Sequence, residues 1–188
     1  MVKGIWQATT ILFLSTATLV VAQQTKAYAW EPIKVTKSIF TQDLGMLDSE
    51  REEYAKNLAT IAVNQIVTTK ASPPSLAEAR KMLTLALQLS PRNKRAVVVN
   101  FQLSKGILPE TIDSNYSAQV FARLLLTRGQ LLEKQGGEEN HRLARYFIQL
   151  AASLDPKNED AVYASEVLRL DHGDPVWSAL TDEAEAKP

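Results

Sequence analysis

ARKMLTLALQLSPRNKRAV, residues 79–97, and ARYFIQLAASLDPKNEDAV, residues 144–162, are two copies of one phrase, identical at nine of nineteen positions. The identities are Ala79/Ala144, Arg80/Arg145, Leu85/Leu150, Ala86/Ala151, Leu89/Leu154, Pro91/Pro156, Asn93/Asn158, Ala96/Ala161 and Val97/Val162. A chain that repeats itself at a fixed offset stacks similar units side by side. In each copy the two outer alanines stand seven apart, about two helical turns, so each pair shares one helix face. Small side chains there let a neighbouring helix come close. Leu83 and Ile148 place bulk between them, and Leu89 and Leu154 extend the stripe. Pro91 and Pro156 stop the helix. Asn93 and Asn158 can cap the next one, which starts with Ala96-Val97 or Ala161-Val162. Each copy thus predicts the second helix of a hairpin, a turn, and the first helix of the next hairpin.

The pattern resembles the tetratricopeptide repeat family, whose repeat pairs an A helix with a B helix that carries Ala, Ala and Pro at this spacing. Residues 75–93 and again 143–158 follow the B helix. Gly129 and Gly136 in RGQLLEKQG match the two glycines of the A helix, and the last A helix closes at Gly173. Leu125, Val97 and Val162 depart from the pattern, standing where an aromatic is usual, and Arg128 stands where an apolar residue is usual. Gly137-Glu138-Glu139 lengthens one turn. The copies lie 65 residues apart, not twice the family's repeat of about 34. The unit between them is therefore irregular, with a loop through Gly106-Ile107-Leu108-Pro109. The resemblance covers roughly half the chain and implies an all-α, helical-hairpin array, a TPR-like α-solenoid. It also implies a peptide-binding groove lined by A helices. Carried over by position, that groove takes Arg95, Gln102 and Lys105 from one A helix, Arg123, Thr127 and Gln130 from the next, and Tyr163 from the last. Such side chains grip the backbone or terminal carboxylate of an extended peptide.

Around the repeats the chain divides into four parts. Residues 1–29 read as a signal peptide, with basic Lys3, an apolar run of twelve from Ile11 to Ala22, and a small-x-small site at Ala27-Tyr28-Ala29. Val20-Val21-Ala22 is a second candidate for cleavage. The competing reading is an uncleaved anchor, but the run is shorter than the roughly 20 strongly apolar residues a span prefers. The expected location is the periplasm or outside; the alternative is N-terminal membrane anchorage. Residues 30–45 predict an extended lead-in lying on the helices, 46–180 the repeat domain, and 181–188 (TDEAEAKP) a solvated tail.

Six helices in three hairpins are expected. The first is capped by Asp48 or Ser49 and ends near Thr69. The second opens on a Ser75/Glu78 capping box and ends near Ser90. The others span about 94–105, 115–135, 140–154 and 159–170. Val120, Phe121, Leu124, Leu125, Leu131 and Leu132 form the apolar face of the fourth, and Val162, Tyr163, Val167 and Leu168 that of the sixth. A turn at 175–180 is expected to cover the open end of the array.

Composition narrows the chemistry. The chain has 188 residues, 45% hydrophobic, with zero formal net charge, so no global field draws in nucleic acid. There is no P-loop, glycine-rich dinucleotide turn or HExxH. Cysteine is absent, which excludes thiol catalysis, disulfides, cysteine-based zinc and a cysteine-linked lipid anchor. His141 and His172 are the two histidines. Asp171-His172-Asp174 is better read as a helix end than as a metal site, which needs three or four converging ligands. Glu50-Glu52-Glu53 and Glu138-Glu139 sit at helix starts, where negative charge is stabilised without any catalytic role. No metal, cofactor or catalytic residue is expected. Charge is polarised along the chain: residues 78–105 hold six bases and one acid, residues 138–188 eleven acids and five bases. The expected function is a scaffold or adaptor in the cell envelope, with a protein or peptide partner. Alternatives are an accessory subunit of an envelope enzyme and a structural protein that self-associates through its opposite ends.

Overall fold

The computed structural model describes residues 28–182. The apolar run Ile11 to Ala22 of the expected leader, and residues 183–188 of the expected tail, lie outside them. The elements are α1 (Asp48–Thr68), α2 (Pro73–Leu89), α3 (Lys94–Ser104), α4 (Ala118–Gln135), α5 (Glu138–Leu154), α6 (Glu159–His172) and a 3-10 turn at Trp177–Leu180. The described residues are all-α, with no strand.

The repeat of the sequence is also a repeat of the backbone. Helices α2 and α5 have 17 residues each and the same bounds 65 residues apart. Each is closed by the N–H after its end, from Ser90 to the Ala86 carbonyl and from Asp155 to the Ala151 carbonyl. Asn93 Oδ1 accepts from the Ala96 N–H at 3.0 Å, and Asn158 Oδ1 from the Ala161 N–H at 3.2 Å. These caps satisfy helix-start donors that would otherwise lack a partner. Ala79, Ala86, Ala144 and Ala151 are all fully buried, as the small-residue seam requires.

Two hairpins form, α1/α2 and α4/α5, each followed by a shorter helix. The third hairpin expected from the sequence does not. Helix α3 lies on α1 and α2, and α6 lies on α5. Between α3 and α4 the segment 105–117 intervenes, its residues 107–112 lying beside α3. Two helix starts also differ from expectation. Ser72, not Ser75, precedes α2, because Pro73 and Pro74 fit the first helical positions where no N–H is needed. Ser75 is buried inside the first turn and donates to the Ser72 carbonyl at 2.8 Å. Helix α1 starts after Leu47, whose N–H donates to the Glu50 carboxylate at 3.1 Å.

Residues 28–47 cross the helices in extended and bent form, with Trp30, Ile33, Phe40, Leu44 and Met46 buried. Side-chain amides hold their backbone. Asn100 accepts from the Trp30 indole at 3.1 Å and the Ile33 N–H at 3.0 Å. Gln88, buried in α2, accepts from the Ile39 N–H at 2.8 Å, and Asn140 accepts from the Gly45 N–H at 2.7 Å. Arg51 reaches the carbonyls of Leu89, Thr41 and Phe40. A buried donor or acceptor left without a partner costs about 1–3 kcal/mol, so these amides fix the path of the segment.

The chain's far end returns to the same place. Gln88 Nε2 donates to the Leu180 carbonyl at 2.8 Å. The Trp177 indole donates to Gln149 at 2.6 Å, and its ring packs edge-on to Tyr146. The 3-10 turn therefore folds back over α2 and α5 and does not cover the open face of α6. Thr181 is buried and Asp182 is anchored, although composition assigns both to a solvated tail. The Asp182 carboxylate accepts from the Thr36 hydroxyl at 2.7 Å and the Thr36 N–H at 3.0 Å. The hydroxyl contact first, and the amide second, hold this carboxyl below the ordinary aspartate pKa. A lowered folded-state pKa gives a contribution present above about pH 4 and lost as pH falls through the lower folded value. The hydrogen-exchange protection factor of the Thr36 amide is expected to drop as pH falls below about 4. In Asp182→Asn that pH step should vanish.

Candidate functional site

An open groove of about 820 Å³ lies between α1, α3 and the loop that follows α3. Its floor is apolar, from Val98, Val99, Ile107, Leu108 and Ile112. Its rim is mainly cationic, from Lys56, Arg92, Lys94 and Arg95, with Glu52 and Glu110 as the acids.

The loop wall is built by local chemistry. Helix α3 ends with Gly106 at φ +74, a left-handed conformation that glycine adopts at little cost. The Gly106 N–H reaches the Leu103 carbonyl at 3.0 Å and the Ile107 N–H the Gln102 carbonyl at 2.9 Å. These two bonds close the last turn and aim the chain back across α3. Further on, Asn64 of α1 clamps Ile112 from both sides: the Ile112 N–H donates to Oδ1 and Nδ2 donates to the Ile112 carbonyl, each at 2.8 Å. The Tyr28 hydroxyl donates to the Ile107 carbonyl at 2.9 Å. Cleavage after Ala29 would remove that bond and leave buried Trp30 at the new terminus.

Of the seven residues assigned to a groove by resemblance, two line this one. Arg95 and Gln102 line this groove. Arg95 is engaged, its guanidinium donating to the Thr60 hydroxyl at 2.5 Å, which ties α3 to α1. Lys105 is exposed at the end of α3, with its ammonium 5.6 Å from the Phe101 ring centre. Arg123, Thr127 and Gln130 are exposed on α4, outside the groove lining, and Tyr163 is exposed on α6. Val120, Leu124 and Leu131, expected in the core, share the exposed side of α4, while Phe121, Leu125 and Leu132 are buried. Val162, on the expected apolar face of α6, is likewise exposed. In both helices the neighbour that would cover the second apolar row is missing.

The titratable groups do not converge. Among the described residues, no group of three or more His, Asp or Glu side chains is placed to hold a metal. His141 Nδ1 lies 2.8 Å from a Glu133 carboxylate oxygen. The end of α6 is served by Arg145, which donates to the His172 and Gly173 carbonyls at 3.1 and 2.9 Å. His172 is the last residue of α6, and the Gly173 N–H closes the helix on the Arg169 carbonyl at 2.8 Å. No helix among the described residues is long and apolar enough to cross a membrane. Comparison with known protein families, curated proteins and solved structures finds no match for this chain.

Loop residues Ile107, Leu108 and Ile112 were not singled out from the sequence as binding residues. The one signal available was the irregular spacing of the middle unit, which marks a loop but not the direction in which it folds.

Proposed function

We propose that this chain is an exported, non-enzymatic helical-repeat protein of tetratricopeptide type, a short solenoid that acts as an envelope adaptor. Its groove between α1, α3 and residues 107–112 holds an extended segment of a partner protein. Export rests on the leader-like run Ile11 to Ala22 and the Ala27-Tyr28-Ala29 site. One observation carries the binding reading: the groove has an apolar floor and a mainly cationic rim, held by a loop clamped through Asn64. An extended peptide placing apolar side chains on Val98 and Ile107, and carboxylates toward Arg92 and Lys94, matches that surface. Stacked helices supply a rigid wall, so little ordering cost falls on binding.

Fluorescence anisotropy with two labelled octapeptides tests this, one alternating leucine with glutamate and one alternating leucine with lysine. The acidic peptide is expected to bind at least about tenfold more tightly, since two or three rim charges contribute on this scale. Arg92→Glu plus Ile107→Asp, both at exposed positions, should abolish the preference. Equal affinity for the two peptides, or a preference that survives the double substitution, would remove the groove from this reading.

A further inference from the structure

Helices α3 and α6 follow the two copies of the repeated phrase at corresponding sequence positions, and both leave one face bare. On α3 that face holds Val97, Val98 and Phe101, with Phe101 59% exposed. On α6 it holds Val162, Tyr163 and Leu170, with Tyr163 74% and Leu170 75% exposed. Apolar rows of this kind on short helices mark surfaces that another chain covers.

Their charges are opposite. Lys94 and Arg95 open α3, whereas Glu159 and Asp160 open α6 at the corresponding positions. Lys105 follows α3 with no acid in that helix, while α6 adds Asp171 and Glu166, the latter paired with Arg169 at 2.7 Å, and keeps an excess of acids. The cations of α3 also stand in the wrong place for their own helix. The N-terminal end of a helix carries partial positive charge, so Lys94 and Arg95 oppose it, while Glu159 and Asp160 complement it. Arg95 is held by Thr60, whereas Lys94 is exposed, and its locally unfavourable charge points to a role beyond folding.

We infer that a second copy of this chain covers these faces, the basic α3 face of one molecule packing on the acidic α6 face of the next. Run antiparallel, the pair sets Lys94 near Asp171 and Lys105 near Glu159; run parallel, it sets Lys94 near Glu159. Each copy offers one face of each sign, so the contact is heterologous and propagates into an open chain or a closed ring. A contact of about three helical turns is smaller than a standard stable interface, which places assembly in the range of roughly 10–500 µM.

Sedimentation velocity on the full chain across that range is the test. The weight-average mass is expected to rise with concentration and to fall in 0.5 M salt, which screens charges beyond about 4 Å. Lys94→Glu plus Lys105→Glu should weaken association at least about tenfold, and Glu159→Lys plus Glu166→Lys should do the same. The first pair removes a cation from a helix start, so circular dichroism should show an intact fold. An equimolar mixture of the two variants should associate again, because each supplies the sign the other lacks. Tyr163→Ala, which alters no charge, should also weaken assembly. A chain that stays monomeric throughout would overturn the inference. So would association that survives both reversals, the result expected if the apolar run 11–22 drove it. A mixture that remains monomeric would overturn it as well.

Discussion

Gly129→Leu is expected to destabilise the protein by more than about 3 kcal/mol, with the loss concentrated in the α4/α5 hairpin. A Cβ at position 129 would lie 2.7 Å from Ile148 Cγ1 and 3.3 Å from the Ala144 carbonyl oxygen. The second neighbour is backbone, and Ile148 is buried with no space to retreat. Inserting methylenes into a packed core costs about 1–3 kcal/mol, and leucine adds four carbons at a seam that already rejects one. Gly129→Ala is the graded control. Alanine gains roughly 1 kcal/mol of helix propensity over glycine, which offsets much of the overlap, so its net loss should stay below about 2 kcal/mol. Urea unfolding followed by circular dichroism reads both. A leucine variant as stable as the parent would show that α4 and α5 are not held at the distance the seam describes.

The seam was legible in the sequence because its signals are local. Ala144 and Ala151 mark a close approach by size alone, Pro156 marks the stop, and Asn158 marks the restart, all within a few turns of one another. The same logic reproduced α2, its end and the Asn93 cap. It failed where a helix face has no neighbour to explain it. The rows Phe121/Leu125/Leu132 and Val120/Leu124/Leu131 are adjacent on one helix, and periodicity cannot say that only the first is covered.

The groove was less legible, for a related reason. Its loop wall depends on Asn64 gripping Ile112, 48 residues away in sequence. Nothing in Gly106-Ile107-Leu108-Pro109 announces that grip. Placing Arg123, Thr127 and Gln130 beside Arg95 assumed that α3 and α4 form consecutive members of a regular array. The segment 105–117 breaks that succession. Gln88 and Asn140 escaped notice too, because a polar side chain inside an apolar stripe gives no sign of which distant backbone it will satisfy.

Phe147→Ala is expected to cost about 3–5 kcal/mol and to uncouple the two repeats. Phe147 is fully buried on α5, and its ring stacks on Tyr54 of α1 at 5.1 Å between centres. Tyr54 also meets Phe121 of α4 at 6.0 Å. One tyrosine from the first hairpin thus sits between both helices of the second. Burial pushes its hydroxyl pKa up to about 12, with Arg128 opposing and Glu50 and Glu53 adding to the rise. A raised folded-state pKa means this contribution is complete below pH 10 and is lost as pH climbs toward 12. Backbone contacts between α1 and the second hairpin are few, so removing the ring should matter more for cooperation than for either hairpin alone. The double variant Tyr54→Ala/Phe147→Ala should lose less than the sum of the single variants, by about 0.5–1.5 kcal/mol. Thermal unfolding of Phe147→Ala should broaden or split into two steps, as units that no longer support each other melt separately. One sharp transition at the parent's midpoint would mean that the contact between repeats rests elsewhere: on the Arg128 bonds to Gly45 and Glu50, or on the 28–47 segment that spans both.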